Sequence, residues 1–330
     1  MIELELEDPR WRELVESCPE AGPFHLPAWA RLLGDTYGYR AFAIGAEDES
    51  GKLHAGVPLL ELRGGRRVSL PFTDACAPLA LSAAGLASLA GALARAAGRF
   101  EIRAPFPGAA AHAVAVEHLL PLKADPQLVF SGLHKSRMQR PIAKAEREGV
   151  AIRTGDSPAD LVETFYDLHV QTRRRQGVPV QPRRFFELLW ERMIEPGHGF
   201  VLVAEAEGAP AAAGVFLSWN GTTVYKFGAS DDALLRVRPN HLLLWDAIRR
   251  SCERGDRTFD FGRTDFDNAG LRSFKSGFGA GERPLVYAQF GDGTVYAGGG
   301  RASRALAPVI RRSPPWVCRG LGEVLYKYAA

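Results

Sequence analysis

The sequence predicts an α/β chain of two similar halves, each a mixed, largely antiparallel sheet flanked by helices. At 330 residues the chain exceeds what one ordinary core organises, so two domains are expected. The order helices, three strands, helix, strand can be read twice along it. Turn dipeptides such as Asn220-Gly221 separate strand-forming runs at hairpin distance.

In the first half, the segment from Trp11 to Cys18 reads as a short helix. A turn at Pro27 leads into a second helix, which carries Trp29, Leu32 and Leu33. Strand-like runs follow at Arg40 to Gly45, His54 to Leu62 and Arg67 to Phe72, the first two joined by the polar turn EDESGK. The alanine- and leucine-rich run from Ser82 to Gly98 reads as a buried helix. Phe100 to Ala104 and Val114 to His118 read as strands.

The second half opens with helical His134 to Glu148, interrupted by Pro141, and a strand from Val150 to Arg153. A long helix runs from Pro158 to about Gln176 behind Ser157 as N-cap, and another from Arg183 to Ile194. Strands at Phe200 to Glu205, Ala211 to Trp219 and Thr222 to Ala229 come next. Asn240 is expected to cap a helix bearing Leu242, Leu243, Leu244, Trp245 and Ile248, before a strand at Phe259 to Phe261. The expected domains are residues 1–130, 131–290 and a C-terminal segment 291–330. That segment has a Gly-rich link (Ala297 to Gly300), a break at Pro314-Pro315 and an apolar end with Trp316, Leu321, Leu325 and Tyr326. It is expected to pack back on the first domain.

Composition narrows the function. Hydrophobic residues at 46% with 24% charged residues indicate a folded chain, and no apolar run reaches the ~20 residues that span a bilayer. The acidic start MIELELEDPRW lacks signal-peptide character, so a cytoplasmic location is expected. Cys18, Cys76, Cys252 and Cys318 are scattered and the histidines dispersed, which argues against a metal site or a disulfide framework. A net charge of +3 announces no polyanionic partner, but Arg137, Arg140, Lys144 and Arg147 recur at helical spacing. They form either a solvated face or a surface for nucleic acid or phosphate.

The stretch from Thr258 to Tyr287 gathers the most chemistry. A strand, Phe259-Asp260-Phe261, breaks at Gly262 into a polar loop with Arg263, Asp265, Asp267 and Asn268. A short helical turn then brings Lys275 beside Gly277 and Gly279. Arg263 and Asp265 either pair with each other or bind a ligand. Asp74, just after a strand, either takes a proton from an attacking amine or is a turn aspartate.

Several words, in order, resemble the Fem-type aminoacyltransferase-like proteins of the GNAT superfamily. They are FHLPAW from 24, VSLPFTDACAPLAL from 68, HKSRMQRPIAKAEREGV from 134, VYKFGAS from 224, RPNHLLLWDAI from 238, DFGRTD from 260 and FKSGFG from 274. The resemblance extends to about Tyr287 and implies tandem GNAT-like domains, with most of the site in the second. It lacks the helical hairpin arm that some Fem enzymes insert.

The resemblance implies an N-acyltransferase or aminoacyltransferase with no permanently bound cofactor, using aminoacyl-tRNA or acyl-CoA as co-substrate. The acceptor would be an amine, a small molecule or peptidoglycan-precursor-like, with peripheral contact to a membrane-bound precursor and a role in envelope, exopolysaccharide or peptide-type metabolite biosynthesis. Its alternative is a non-catalytic binding module of an envelope-assembly complex. With no Ser–His or Cys–His pair evident, direct attack is expected, without a covalent enzyme intermediate. Lys275, in the family's FKxxFG pattern with Phe274, would hold the oxyanion or a phosphate, and Asp74 would serve the amine. Tyr225 would line the cleft and, by strand alternation, Lys226 would point away. Arg173 resembles a phosphate-binding position. Asn240 lies where acetyltransferases cradle CoA pyrophosphate, yet no glycine stands between Ser230 and Asn240.

Overall fold

Strand order shows the duplication more directly than any sequence similarity does. The computed structural model describes residues 1–291 and 301–329, which form two units. The first comprises residues 1–116 and the stretch from Pro284. The second comprises residues 117–283 and the helices from Arg301 onward. The boundary thus falls at 116/117 rather than at 130.

In the first unit, β1 (Ile2–Leu4) precedes helices α1 (Pro9–Ser17) and α2 (Pro27–Tyr37). Strands β2 (Arg40–Glu47), β3 (Leu53–Glu61) and β4 (Arg66–Val68) then run antiparallel in the order β1-β2-β3-β4, and β5 (Leu79–Ala80) pairs beside β3. After α3 (Ala83–Arg95), β6 (Arg99–Ile102) joins β4 in parallel. Strand β7 (Ala110–Pro121) carries the chain toward the second unit. Helix α3 was expected to be buried, but only Gly85, Leu89, Ala90 and Leu93 are. Its alanines keep the outer face helical without demanding cover. Phe42, Val57, Leu59, Leu89, Phe100 and Ile102 lie in this unit's core.

The second unit repeats the plan. After α4 (Pro126–Gly132) and α5 (Arg140–Arg147) comes β8 (Ala151–Gly155), then a helix ending in α6 (Tyr166–Gln176), and α7 (Arg183–Leu189). Strands β9 (Gly199–Ala206), β10 (Ala209–Trp219) and β11 (Thr222–Ser230) extend β8 in antiparallel order. The turn at Asn220-Gly221 has positive φ at both residues (48° and 76°), which matches the twist of a tight hairpin. Helix α8 (Pro239–Glu253) leads to β12 (Thr258–Thr264), parallel to β11, followed by α9 (Ala269–Gly277) and β13 (Gly281–Phe290). Each unit therefore has four antiparallel strands and a fifth parallel to the fourth.

Two expectations need correction. From Pro284 onward β13 belongs to the first unit, where Ala288, Gln289 and Phe290 pair with β6. The C-terminal helices, α10 (Arg301–Arg312) and α11 (Pro315–Leu325), pack on the second unit rather than the first. Arg319 pairs with Asp167 of α6, Arg174 donates to Ser313 O, and the backbone N–H of Arg183 donates to Glu323. Apolar content alone said that this end packs, not where; arginine pairs of high sequence separation decide the place. The link at Ala297 to Gly300 lies outside the described residues.

Gly322 of α11 lies against the α6–α7 loop so closely that a Cβ would stand 2.0 Å from Val180 O. Gly322→Ala should push α11 outward and destabilise the protein by about 1–3 kcal/mol. Cys318, fully buried on the same helix face, should then react with a thiol reagent under native conditions. Unchanged labelling and unchanged thermal stability would show that the contact is not a tight one.

Candidate active site

The two parallel strands of the second unit pair over only part of their length. Strands β11 and β12 pair only at Thr222↔Thr258, Thr223↔Phe259 and Val224↔Asp260. Beyond that point β11 runs on to Ser230 and β12 to Thr264. Two local features account for the parting. On β11, Phe216 pairs with Tyr225 and Val215 with Phe227, so Lys226 is the extra residue of a β-bulge, which bends a strand and raises its twist. On β12, Gly262 adopts φ 69°, and its N–H donates to Asp260 Oδ1 at 2.7 Å instead of continuing a ladder.

Lys275 fixes the β12 side. Its Nζ donates to the carbonyls of Gly262 and Arg263, both at 2.9 Å, and the side chain is only 4% exposed. A buried ammonium requires such partners. Lys275 therefore reaches the predicted site but grips strand backbone rather than standing open to solvent. Arg263 turns its guanidinium to Asp265 (2.8 and 3.1 Å), the internal pair that the sequence allowed.

Tyr225 marks the β11 side, directly after the last paired residue. Its half-buried ring stacks on Phe216 at 5.4 Å, and its hydroxyl occupies the space above Gly228, where a Cβ would lie 1.6 Å away. Burial pushes the phenol up to about 12, so the hydroxyl keeps its proton at neutral pH. The bulge alters the alternation at Phe227, which takes the face opposite Tyr225, among Phe165, His169, Phe185 and Phe186, and the Lys226 ammonium lies over its ring, 5.4 Å from the centroid.

Helix α8 begins near the end of this parting. Its N-cap is Arg238, held at φ 61°, with Pro239 in the first turn, so Asn240 is not the cap that was expected. No side chain caps the helix, which leaves a first turn suited to an anion. Phe274 of α9 packs edge-on against His241 at 5.1 Å. Arg137 reaches Ser273 of α9, donating to Oγ at 2.9 Å and to the backbone carbonyl at 3.0 Å.

Other candidates lie elsewhere. Arg173 donates to Pro179 O of its own loop; Arg175, two residues on, reaches the end of β11 at Ser230 O (3.0 Å). Asp74 belongs to the first unit, where its backbone carbonyl accepts the Tyr287 hydroxyl at 2.9 Å. The basic run is not one uniform helical face. A wide π-helical turn at Lys135–Gln139 precedes α5, and Arg137 is already engaged with α9. Pro141 sits in the first turn of α5, where its missing N–H costs least, so the helix continues across it. Arg140 and Arg147 are exposed and Lys144 is half-exposed.

Sequence reasoning missed a buried polar group behind Lys275. His118 is fully buried, with Nε2 3.0 Å from Glu282 Oε1 and Nδ1 3.5 Å from Thr264 Oγ1. Burial, then the Lys275 charge, holds its imidazole below the usual histidine range. Arg272 donates to Glu282 at 2.7 Å and keeps that carboxylate below its ordinary pKa. The one signal available was a histidine interrupting the apolar run AVAVEHLL. Among the described residues no cluster suited to a metal ion is present.

His241 offers a pH test. Burial, then the Arg238 charge, pushes its imidazole down to about 4, and Nδ1 is buried without a partner. An unfolded histidine takes up its proton near pH 6.5, so this group costs stability as pH falls from about 6.5 toward 4. His241→Phe should flatten the stability profile in that window by up to about 1.4 kcal/mol per pH unit. Parallel wild-type and variant profiles in denaturant titrations would contradict the assignment.

Comparisons with known proteins bear on the fold. Residues 133–275 match the family model of the acetyltransferase (GNAT) domain. Among solved structures, FemX is 14% identical with a TM-score of 0.67, covering 87% of this chain and 97% of its own. The C-terminal domain of a putative lysylphosphatidylglycerol synthetase from Agrobacterium fabrum is 13% identical with a TM-score of 0.57, covering 91% and 94%. A tandem GNAT protein from the clavulanic acid biosynthesis pathway is 14% identical with a TM-score of 0.52, covering 89% and 99%. A comparison with curated proteins finds no match. Residues 133–275 thus match a GNAT acetyltransferase domain, and the chain has the duplicated GNAT-like fold seen in the tandem GNAT protein.

Proposed function

We propose that the chain transfers an acyl or aminoacyl group from a carrier to an amine acceptor in the cleft between β11 and β12. The observation that carries this reading is the parting of the two strands after Val224 and Asp260. Beyond those residues β11 has no ladder partner on the β12 side up to Ser230, whose backbone is bonded to Thr172 and Arg175, and backbone groups without a strand partner can take a ligand's hydrogen bonds. A carrier's carbonyl laid along that edge is polarised by N–H donors already in position.

The step needs no covalent enzyme intermediate. The neutral amine nitrogen attacks the ester or thioester carbon, the carbon–oxygen or carbon–sulfur bond of the carrier breaks, and the nitrogen loses a proton. The Tyr225 hydroxyl, protonated at neutral pH, gives its proton to the departing oxygen or sulfur and takes back the one the amine nitrogen loses, so the step is balanced. Lys275 acts as a positioning residue: it holds the carbonyls of Gly262 and Arg263, and with them the far wall of the cleft. The uncapped start of α8 and the exposed basic residues Arg140 and Arg147 favour a carrier with phosphates, either aminoacyl-tRNA or acyl-CoA. An acceptor in envelope or peptide-type metabolite biosynthesis fits this chemistry.

Incubation of the purified protein with charged tRNA and, separately, with acetyl-CoA, each with a mixture of amines, tests the reading by donor consumption. A tRNA donor should bind several-fold more weakly with each doubling of salt, whereas a CoA donor should show a shallow slope. Consumption of neither donor would leave a binding module with this fold.

Two substitutions separate the roles. Tyr225→Phe should lower turnover about 10–100-fold while donor binding holds, since it removes one proton donor and no volume. Lys275→Arg keeps the charge but forces a planar fork into a space filled by a single ammonium. Its turnover should fall about 10²–10³-fold, with thermal stability also reduced. Near wild-type turnover in Lys275→Arg would remove this lysine from the machinery.

A further inference from the structure

The C-terminal helices carry a surface that the cleft does not use. Cys318, Gly322 and Tyr326 recur every four residues and are buried, Cys318 and Gly322 against the α6–α7 loop at Val178 and Val180. The outward stripe, at the same spacing, is Trp316, Gly320, Val324 and Tyr328. Trp316 is 71% exposed, Val324 60% and Tyr328 52%, and α10 adds Val309 at 54%. Trp316 is the most exposed large hydrophobic side chain among the described residues.

Charge gathers on the same segment. Between residues 301 and 328 stand Arg301, Arg304, Arg311, Arg312, Arg319 and Lys327, against a single acid, Glu323. This excess of five positive charges is larger than the +3 of the whole chain, so the remainder is net negative. Arg311 and Arg312 are exposed just before Trp316, and Lys327 adjoins Tyr328.

We infer that α10 and α11 dock the protein on an anionic lipid surface. Trp316, Val324 and Val309 enter the headgroup boundary, and Arg311, Arg312 and Lys327 meet lipid phosphates. Tryptophan and tyrosine suit that boundary because an apolar ring carries a polar edge, and arginine keeps its charge in water while its stem lies on apolar surface. No described helix is long and apolar enough to cross a bilayer, so the helices lie in the plane of the interface. A second copy of the chain is the poorer occupant, since it would set two basic segments against each other. Val309 and Val324 beside the exposed rings favour a lipid surface over nucleic acid, which stacks on aromatic rings and gains nothing from valines. This surface is independent of the transfer reaction.

Co-sedimentation of the full chain with vesicles tests the inference. Partitioning onto vesicles containing phosphatidylglycerol should exceed that onto pure phosphatidylcholine about 10-fold, and should fall as salt rises. Trp316→Ser combined with Val324→Ser should weaken binding at least about 10-fold, and Arg312→Glu should weaken it on the anionic vesicles only. Both outward side chains make little contact with the protein, so unfolding midpoints should stay at the wild-type value and confirm folded variants. Three results would overturn the inference: equal binding to both vesicle types, binding that survives the double substitution, or no vesicle binding by a wild-type protein whose dimer dissociates in Trp316→Ser. Transfer to a soluble amine should be the same in wild type and Trp316→Ser.

Discussion

The grip of one buried ammonium on two strand carbonyls shapes the second unit. A lysine side chain that is 4% exposed is costly to bury unless its protons are taken, and Gly262 O and Arg263 O take two of them. Those carbonyls are thereby assigned to α9. The consequence is local and geometric: β12 is carried past its last pairing residue, Asp260, under the control of a helix rather than of the neighbouring strand. Burial first, and the same ammonium second, lower the basicity of His118, which lies buried against Thr264 and Glu282.

The opposite wall rests on a different device. The bulge at Lys226 turns Tyr225 and Phe227 to opposite faces, although they stand two apart in the chain. Tyr225 joins Phe216 on the α8 side, while Phe227 enters the aromatic group of α6 and α7. Gly228 then has no side chain because the tyrosine hydroxyl occupies that space. Period-two alternation found the strand and its ends but could not find the bulge. A bulge is a property of pairing with β10, and a single strand's sequence does not contain its partner.

The same distinction separates what the residues revealed from what they hid. Hairpin chemistry at Asn220-Gly221, the helix from Pro158 to Gln176 and the twofold recurrence of strands depend on neighbours in sequence, and all were legible. Side-chain partners across long separations were not. His118 and Glu282 are 164 residues apart, and Arg174 finds Ser313 O at a separation of 139. Arg173 and Arg175 look alike in a run of three arginines; only the position of Ser230 distinguishes them. Pro239 displaced the expected cap from Asn240 to Arg238, because proline takes the first helical turn and leaves its predecessor outside it.

Duplication need not preserve function in both copies, and the first unit shows why one copy of the parting is closed. Its parallel pair, β4 and β6, also ends early, at Val68 and Glu101. There, however, the chain folds back on itself. Ser69 N–H donates to Glu101 O, and Arg103 donates to Ser69 Oγ from its backbone and to Thr73 O from its guanidinium. Cys76 N–H donates to Arg103 O, and Trp29 holds the Thr73 hydroxyl. Leu70 and Phe72 accept positive φ to make this loop, a strain that persists only where surrounding bonds outweigh it. The groups that a ligand would satisfy are thus satisfied within the first unit by the loop that carries Asp74. In the second unit Lys275 holds the carbonyls of Gly262 and Arg263 on β12, and no corresponding loop is folded over the end of the parallel pair among the described hydrogen bonds.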